Sequence, residues 1–280
     1  MTLKQYLEKN YKTKGLKTII KRYTDYQNDK AETAELQEVL QYIEYLRKEQ
    51  AHPKTIRNHL FAVKIYYSYL QYIGKRTDHP CIKLTLKDKV NRAIATEKLY
   101  SKEELEALQS GYQAKDKRLQ YRNKVMISLL VNQALQVQEI SNLMLIDIDL
   151  ENAQINIAKT SKINSRVLPL KANQIVLIQR YLEERKALNP QTTHFIISKY
   201  GKDLKPHGIC RLINEGRAKD NRIHPMRIRQ SVIALLLKSG NNLRIVQTFS
   251  GHRQSSSTEA YKQTDLEQLQ LSVNKYHPIQ

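Results

Sequence analysis

The sequence is poor in cysteine, glycine and proline, and it has no long apolar run. Its two cysteines, Cys81 and Cys210, stand far apart with no CxxC pair. That argues against a disulfide scaffold or a cysteine-ligated zinc site, and it fits a reducing, cytoplasmic setting. Eight glycines and seven prolines in 280 residues are too few for a turn-rich β-sandwich and suit a mainly helical protein. No stretch approaches the roughly 20 apolar residues of a membrane span. The lysine-bearing start, Met1 to Leu16, lacks the apolar core of a signal peptide. Acidic residues are also scarce. Against 47 Lys and Arg there are 27 Asp and Glu, a formal net charge of +20 and a pI near 9.8. This excludes a preference for cationic partners and favours a polyanion: nucleic acid, an acidic membrane surface or an acidic protein.

Forty per cent of the residues are apolar, ample for a core at this length. At about 150 residues per domain, the length predicts two domains. The charge is spread over both parts, +8 over residues 1–90 and +12 over 91–280, so there is no single basic tail. Helices are predicted at Leu16 to Gln27, Thr33 to Glu49 and Pro53 to Ile73. In the last of these, Ile56, Leu60, Val63, Tyr67 and Leu70 recur with helical spacing, and Pro53 suits the first turn. Lys54, Arg57 and Lys64 lie on its other faces and are candidate phosphate contacts. Most of the nearby tyrosines (Tyr66, Tyr67, Tyr69, Tyr72) are expected in the core. A basic linker at 89–97 then separates a domain at 1–88 from one at 98–280. Ser101-x-x-Glu104 is a capping-box pattern that opens the second. Further helices are predicted at 102–110, 118–132, 137–145, 171–187, 206–217, 225–238, 242–248 and 256–262. Alternating residues at Gln154 to Ala158 and Arg166 to Leu170 predict a β-hairpin, with Phe195 to Ser198 as a third short strand.

The last 60 residues carry the most information. His224-Pro225-Met226-Arg227 opens a helix, and a spacing of three brings its His and Arg to one side. Gly251-His252-Arg253 follows, and Tyr261 comes nine residues after His252. This ordered set resembles the tyrosine recombinase (phage integrase) family. The resemblance extends upstream. Asn132 to Ile140 is similar to the family's "TGLR-x-x-E" segment. The stretch from Ile155 to Leu170 is similar to its lysine-bearing hairpin, ending in Arg166-Val167-Leu168-Pro169-Leu170. Thr55 to Leu60 is similar to part of its core-binding domain.

The resemblance implies a mainly α protein, with an N-terminal helical core-binding (SAM-like) domain and an α+β catalytic domain holding a small sheet. It implies cleavage and rejoining of duplex DNA through a 3′-phosphotyrosine, for integration or excision of a mobile element. Tyr261 would be the nucleophile and Arg227 the clamp on the scissile phosphate. His224 and His252 would donate to phosphate oxygens or manage the tyrosine proton. Lys159, or Lys162 as the alternative, would be the general acid, and Glu139 would orient the basic groups. Lys162, Arg229 and Arg253 join the candidate DNA contacts. No metal or cofactor is implied. The expected partners are duplex DNA with a specific site, further copies of the chain in a homotetramer, and accessory DNA-bending factors. Residues Leu266 to Val273 are a candidate segment for docking on a neighbour, or for packing on their own domain. The family's arm-binding domain has no counterpart before Ser101, which predicts a simple recombination site.

One position departs from the family pattern. Gln136 stands where the resemblance expects an arginine on the phosphate, and Gln133 and Ala134 replace its Thr-Gly. An amide offers weaker donors and no charge, and loss of one positioned transition-state donor costs about 10²–10³ in rate. Arg229, Arg253, Arg166 and Arg122 are sequence candidates to compensate. The alternatives are a catalytically impaired homologue acting as a DNA-binding regulatory or architectural protein, and a type I topoisomerase.

Overall fold

The computed structural model describes residues 1–261 except 13, 14, 89–93, 95–97, 114–118 and 162. Lys162, most of the stretch read as a linker and the segment from Leu266 to Val273 therefore lie outside the described residues. The chain divides into two compact units, Met1–Asn91 and Arg92–Gln280.

The first unit is built from α1 (Leu3–Asn10), α2 (Leu16–Gln27), α3 (Leu36–Lys48) and α4 (Pro53–Tyr72). Pro53 occupies the first turn of α4, where its missing N–H leaves no bond unmade. Helix α1 has no counterpart in the sequence reading. Thr2 and Gln5 cap it reciprocally, each side chain accepting from the other's backbone N–H. The core is largely phenolic. Tyr23, Tyr42 and Tyr67 are fully buried, and each hydroxyl is bonded: Tyr23 to Tyr67 at 2.6 Å, Tyr67 to the Ala31 carbonyl at 3.2 Å, and Tyr42 to His59 Nδ1 at 2.8 Å. Buried hydroxyls without partners would be costly, so the rings gain apolar burial only because these bonds are made. Of the α4 tyrosines, Tyr66 and Tyr67 are core residues, whereas Tyr69 is half-buried and Tyr72 exposed.

The second unit is mainly helical: α5 (Lys102–Ser110), α6 (Gln120–Asn132), α7 (Val137–Asn142), α8 (Ala172–Ala187), α9 (Pro206–Ile213), α10 (Pro225–Lys238) and α11 (Leu243–Ser250). Ser101 and Glu104 form the expected capping box at the start of α5. Helix α6 is the central element. Val125, Met126, Ile127, Leu129 and Leu130 are all buried, and α5, α8, α9 and α10 pack around it.

Its antiparallel sheet runs β1 (Ile148–Asp149), β2 (Gln154–Ile157), β3 (Arg166–Pro169), with Ile155 opposite Leu168 and Ile157 opposite Arg166. The hairpin is thus present where alternation predicts it. The third strand is not. Ile148–Asp149 takes that place, and the stretch from His194 to Ile197 makes isolated bridges (Met144 with His194, Ile197 with Asp203). The reason lies in the backbone partners. Phe195, Ile196 and Ile197 are fully buried, and their backbone groups bond to the Leu143 carbonyl, the Tyr181 hydroxyl and Arg122 instead of to a neighbouring strand.

Candidate active site

The site is assembled on the sheet's inner face. Strand β3 places Arg166 inward, at a position that alternation reserves for an apolar side chain. Its charge is met by Glu139 of α7. The two form a bidentate pair at 2.6 and 3.2 Å, and each side chain is only 2% exposed. The same carboxylate accepts from the backbone N–H of Gln136, the N-cap of α7, at 2.8 Å. Glu139 therefore both caps α7 and neutralises Arg166.

Arg229, expected at the surface as a DNA contact, is inside the protein. It lies on the inward face of α10, with Nη1 3.9 Å from Glu139 Oε2. It donates to the Ala134 carbonyl at 2.6 Å and to the Ser250 carbonyl at 2.5 Å. These acceptors explain its orientation. Ala134 (φ +51°) is in the turn ahead of α7, and Ser250 ends α11.

Helix α11 ends at Gly251 in a left-handed conformation (φ +70°), and the chain then meets the hairpin. Asn164 N–H donates to the Gly251 carbonyl at 2.9 Å, Ile163 and His252 form an antiparallel bridge, and Arg253 donates to the Ser161 carbonyl at 2.7 Å. A Cβ on Gly251 would stand 2.7 Å from both Arg166 Nη1 and Ile163 Cγ2. Gly251→Ala should therefore destabilise the unit by about 2 kcal/mol or more, from the left-handed backbone and the overpacking together. Chemical denaturation checks this, and a change within experimental error would refute the close approach.

His252 is packed behind this junction, with Nδ1 2.9 Å from the hydroxyl of fully buried Thr258. Burial, reinforced by Arg229 and Arg166 and opposed by Glu139, pushes its pKa down to about 4. The imidazole is neutral at pH 7. Because the unfolded histidine takes up its proton near pH 6.5, stability is full above that value and falls as pH drops toward 4. The contribution is on the order of 3 kcal/mol. His252→Gln should flatten this part of the stability–pH curve, and an unchanged slope between pH 4 and 6.5 would count against it.

Tyr261 closes a helical turn at 256–261 and packs on Ile233 of α10 and Val246 of α11, with 8% exposure. Burial raises its phenol to about 12, with Arg229 pulling the other way. His224 is the exposed N-cap of α10. Arg227 is half-buried, with its guanidinium 5.3 Å from the centroid of the Tyr100 ring. The Tyr100 backbone N–H donates to Ser231 of the same helix at 2.7 Å. Lys159 is exposed at the start of the hairpin loop, and it lines a small cleft together with Glu139, Asn142 and Thr160.

The structure thus brings Gln136, Glu139, Arg166, Arg229 and the segment from Gly251 to Arg253 into one contiguous cluster. Among the other compensation candidates, Arg122 is elsewhere on α6, donating to Asn123 and the Ile197 carbonyl. Arg253 is exposed and engaged by the hairpin loop. In the first unit, Lys54 and Arg57 are exposed on α4. Arg57 donates to the Asp88 carbonyl and half-buried Lys64 to the Ile82 carbonyl, so both also fasten the segment that follows α4. Sequence reasoning missed Thr258 and Tyr100. Thr258 had a signal, lying in the short run between His252 and Tyr261. Tyr100 had none, because it meets Arg227 only in three dimensions.

The phage integrase family matches residues 98–268. Over 256 residues the chain is 25% identical to the tyrosine recombinase XerD of Listeria innocua serovar 6a, covering 88% of this chain and 84% of that protein. Over 228 residues it is 29% identical to the tyrosine recombinase XerC of Pseudomonas syringae pv. syringae, covering 80% and 74%. In fold it is similar to the XerH site-specific recombinase bound to its difH substrate, with a TM-score of 0.64 and 19% identity over 90% of this chain and 75% of that one. It is also similar to the Tn1549 transposon integrase in complex with circular intermediate DNA, with a TM-score of 0.63 and 16% identity over 95% and 97%. With this match over more than half its length, the chain belongs to the phage integrase family of tyrosine recombinases.

Proposed function

We propose that this protein is an active site-specific recombinase that cleaves and rejoins duplex DNA, serving integration and excision of a mobile element. The observation that carries the reading is the junction at Gly251-His252, where hairpin, α11 and the approach to Tyr261 meet. Residues nearly 90 positions apart in sequence are held there by backbone contacts, which is what a multi-group reaction on one phosphate requires.

In the proposed step the Tyr261 phenol oxygen attacks the scissile phosphorus. The bond from phosphorus to the 5′-oxygen breaks, leaving a 3′-phosphotyrosine. The phenol proton passes to neutral His252, and the Lys159 ammonium gives a proton to the leaving 5′-oxygen. Arg227 holds the non-bridging oxygens with two parallel hydrogen bonds, and His224 adds a donor at the start of α10. Attack by a second 5′-hydroxyl reverses the sequence, so the bond energy is conserved without a nucleotide. Lys54, Arg57 and Arg253 supply exposed positive charge for phosphate contacts, which predicts binding that weakens steeply with salt. Assembly as a homotetramer on DNA, assisted by DNA-bending factors, completes the reading.

The test is covalent trapping. Nicked suicide duplexes with randomised arms are incubated with the full chain, and strands that resist denaturing wash are recovered. The expected result is an adduct whose recovered sequences converge on one site. Duplex binding with no adduct in any condition would overturn cleavage and leave a DNA-binding regulator.

A further inference from the structure

The buried cluster behind the site carries an uneven charge. Two guanidinium groups, Arg166 and Arg229, face one carboxylate, Glu139, and all three side chains are almost wholly buried. Arg166 is neutralised by its bidentate pair with Glu139. Arg229 is 3.9 Å from the same carboxylate, and its close bonds are to two neutral carbonyls. One positive charge is left over in a low-dielectric interior, an arrangement that is costly unless an anion comes to it.

Its location matters as much as its sign. The Glu139 oxygen nearest Arg229 is the one that accepts from Gln136 N–H. Arg229 also grips the turn ahead of Gln136 through Ala134, and the end of α11 ahead of His252 through Ser250. The guanidinium therefore stands between a neutral Gln136 and His252, and its field reaches both His252 and Tyr261.

We propose that Arg229 is a positioning residue that supplies, from within the protein, the positive charge that Gln136 does not bring to the phosphate. It fixes the two turns that flank the site and stabilises the negative charge growing on the transferring phosphoryl group, without touching DNA. This rests on the strand-cleaving function proposed above. A buried charge needs no reorganisation when the reaction occurs, and the dry surroundings extend its influence.

The experiment compares rates of adduct formation on the nicked randomised duplexes for the wild-type chain, Arg229→Gln, Gln136→Arg and the double variant, with thermal unfolding of each as control. Arg229→Gln should slow trapping by about 10²–10³-fold. Adding Gln136→Arg to it should recover most of that loss, whereas Gln136→Arg alone should gain little. A merely structural arginine would not be rescued from position 136, so an unrescued loss, or no loss, overturns the proposal. If Arg229→Gln does not fold, Arg229→Lys keeps the charge and should trap within about tenfold of wild type, while a loss as large as 10²-fold overturns it. Trapping by Gln136→Arg but not by wild type would sink the compensation and leave the recombinase reading standing. No trapping by either would sink the recombinase reading itself.

Discussion

Tyr261→Phe is expected to eliminate covalent trapping of DNA, by about 10⁴-fold or more, with duplex binding unchanged at the same salt concentration. The substitution removes a hydroxyl and nothing else. The ring stays in its packing against Ile233 and Val246, so the local fold has no reason to change. The wild-type phenol, pushed up to about 12 by burial, is neutral at pH 7 and must lose its proton as it attacks. In the proposed step that proton passes to His252, which burial keeps neutral at pH 7. Gel mobility after denaturation reads the adduct, and filter binding reads affinity. An adduct that survives in Tyr261→Phe would show that another residue is the nucleophile.

The second large effect is on stability. Glu139→Ala should cost about 3–5 kcal/mol, because it leaves two buried guanidinium groups with no counter-charge. Few native domains have more than 5–15 kcal/mol in total, so the second unit would be close to unfolding at ambient temperature. Combining the change with Arg166→Met should restore part of the loss, since an apolar replacement for a broken ion pair removes the stranded charge. Urea denaturation measures both. A loss below about 1 kcal/mol for Glu139→Ala would mean that water reaches the cluster.

Much of this architecture follows from local pattern. The run from Ile56 to Leu70, the box at Ser101-Glu104 and the alternation around Ile155 and Leu168 each rest on neighbours within a few residues, and each is present where the pattern puts it. The order His224, Arg227, His252, Tyr261 is read from linear spacing alone. Other features were not legible in the sequence. Ile148–Asp149 is too short to show alternation, and its strand exists only because β2 lies beside it. The residues at 195–198 look strand-like, but their buried backbone groups are bonded by the Leu143 carbonyl, the Tyr181 hydroxyl and Arg122 in place of a strand. Arg229 is the most instructive. Beside Arg227 it reads as a second surface cation. Its spacing of four from fully buried Ile233 puts it on the apolar face of α10, which was a usable sign that its partner lay inside. Which partner could not be read, since Glu139 is 90 residues away.

The bridge between Ile163 and His252 makes the histidine, in effect, a short third edge of the hairpin loop. Loop and histidine are therefore one unit of exchange that is split in the gene. Lengthening or shortening residues 159–165 would move the lysine relative to its own strand and would also cut the backbone register on which the histidine is seated. A hairpin grafted from another recombinase should fit only when its segment equivalent to 250–253 travels with it, and chimaeras that respect contiguous sequence boundaries will separate the two halves of a single part.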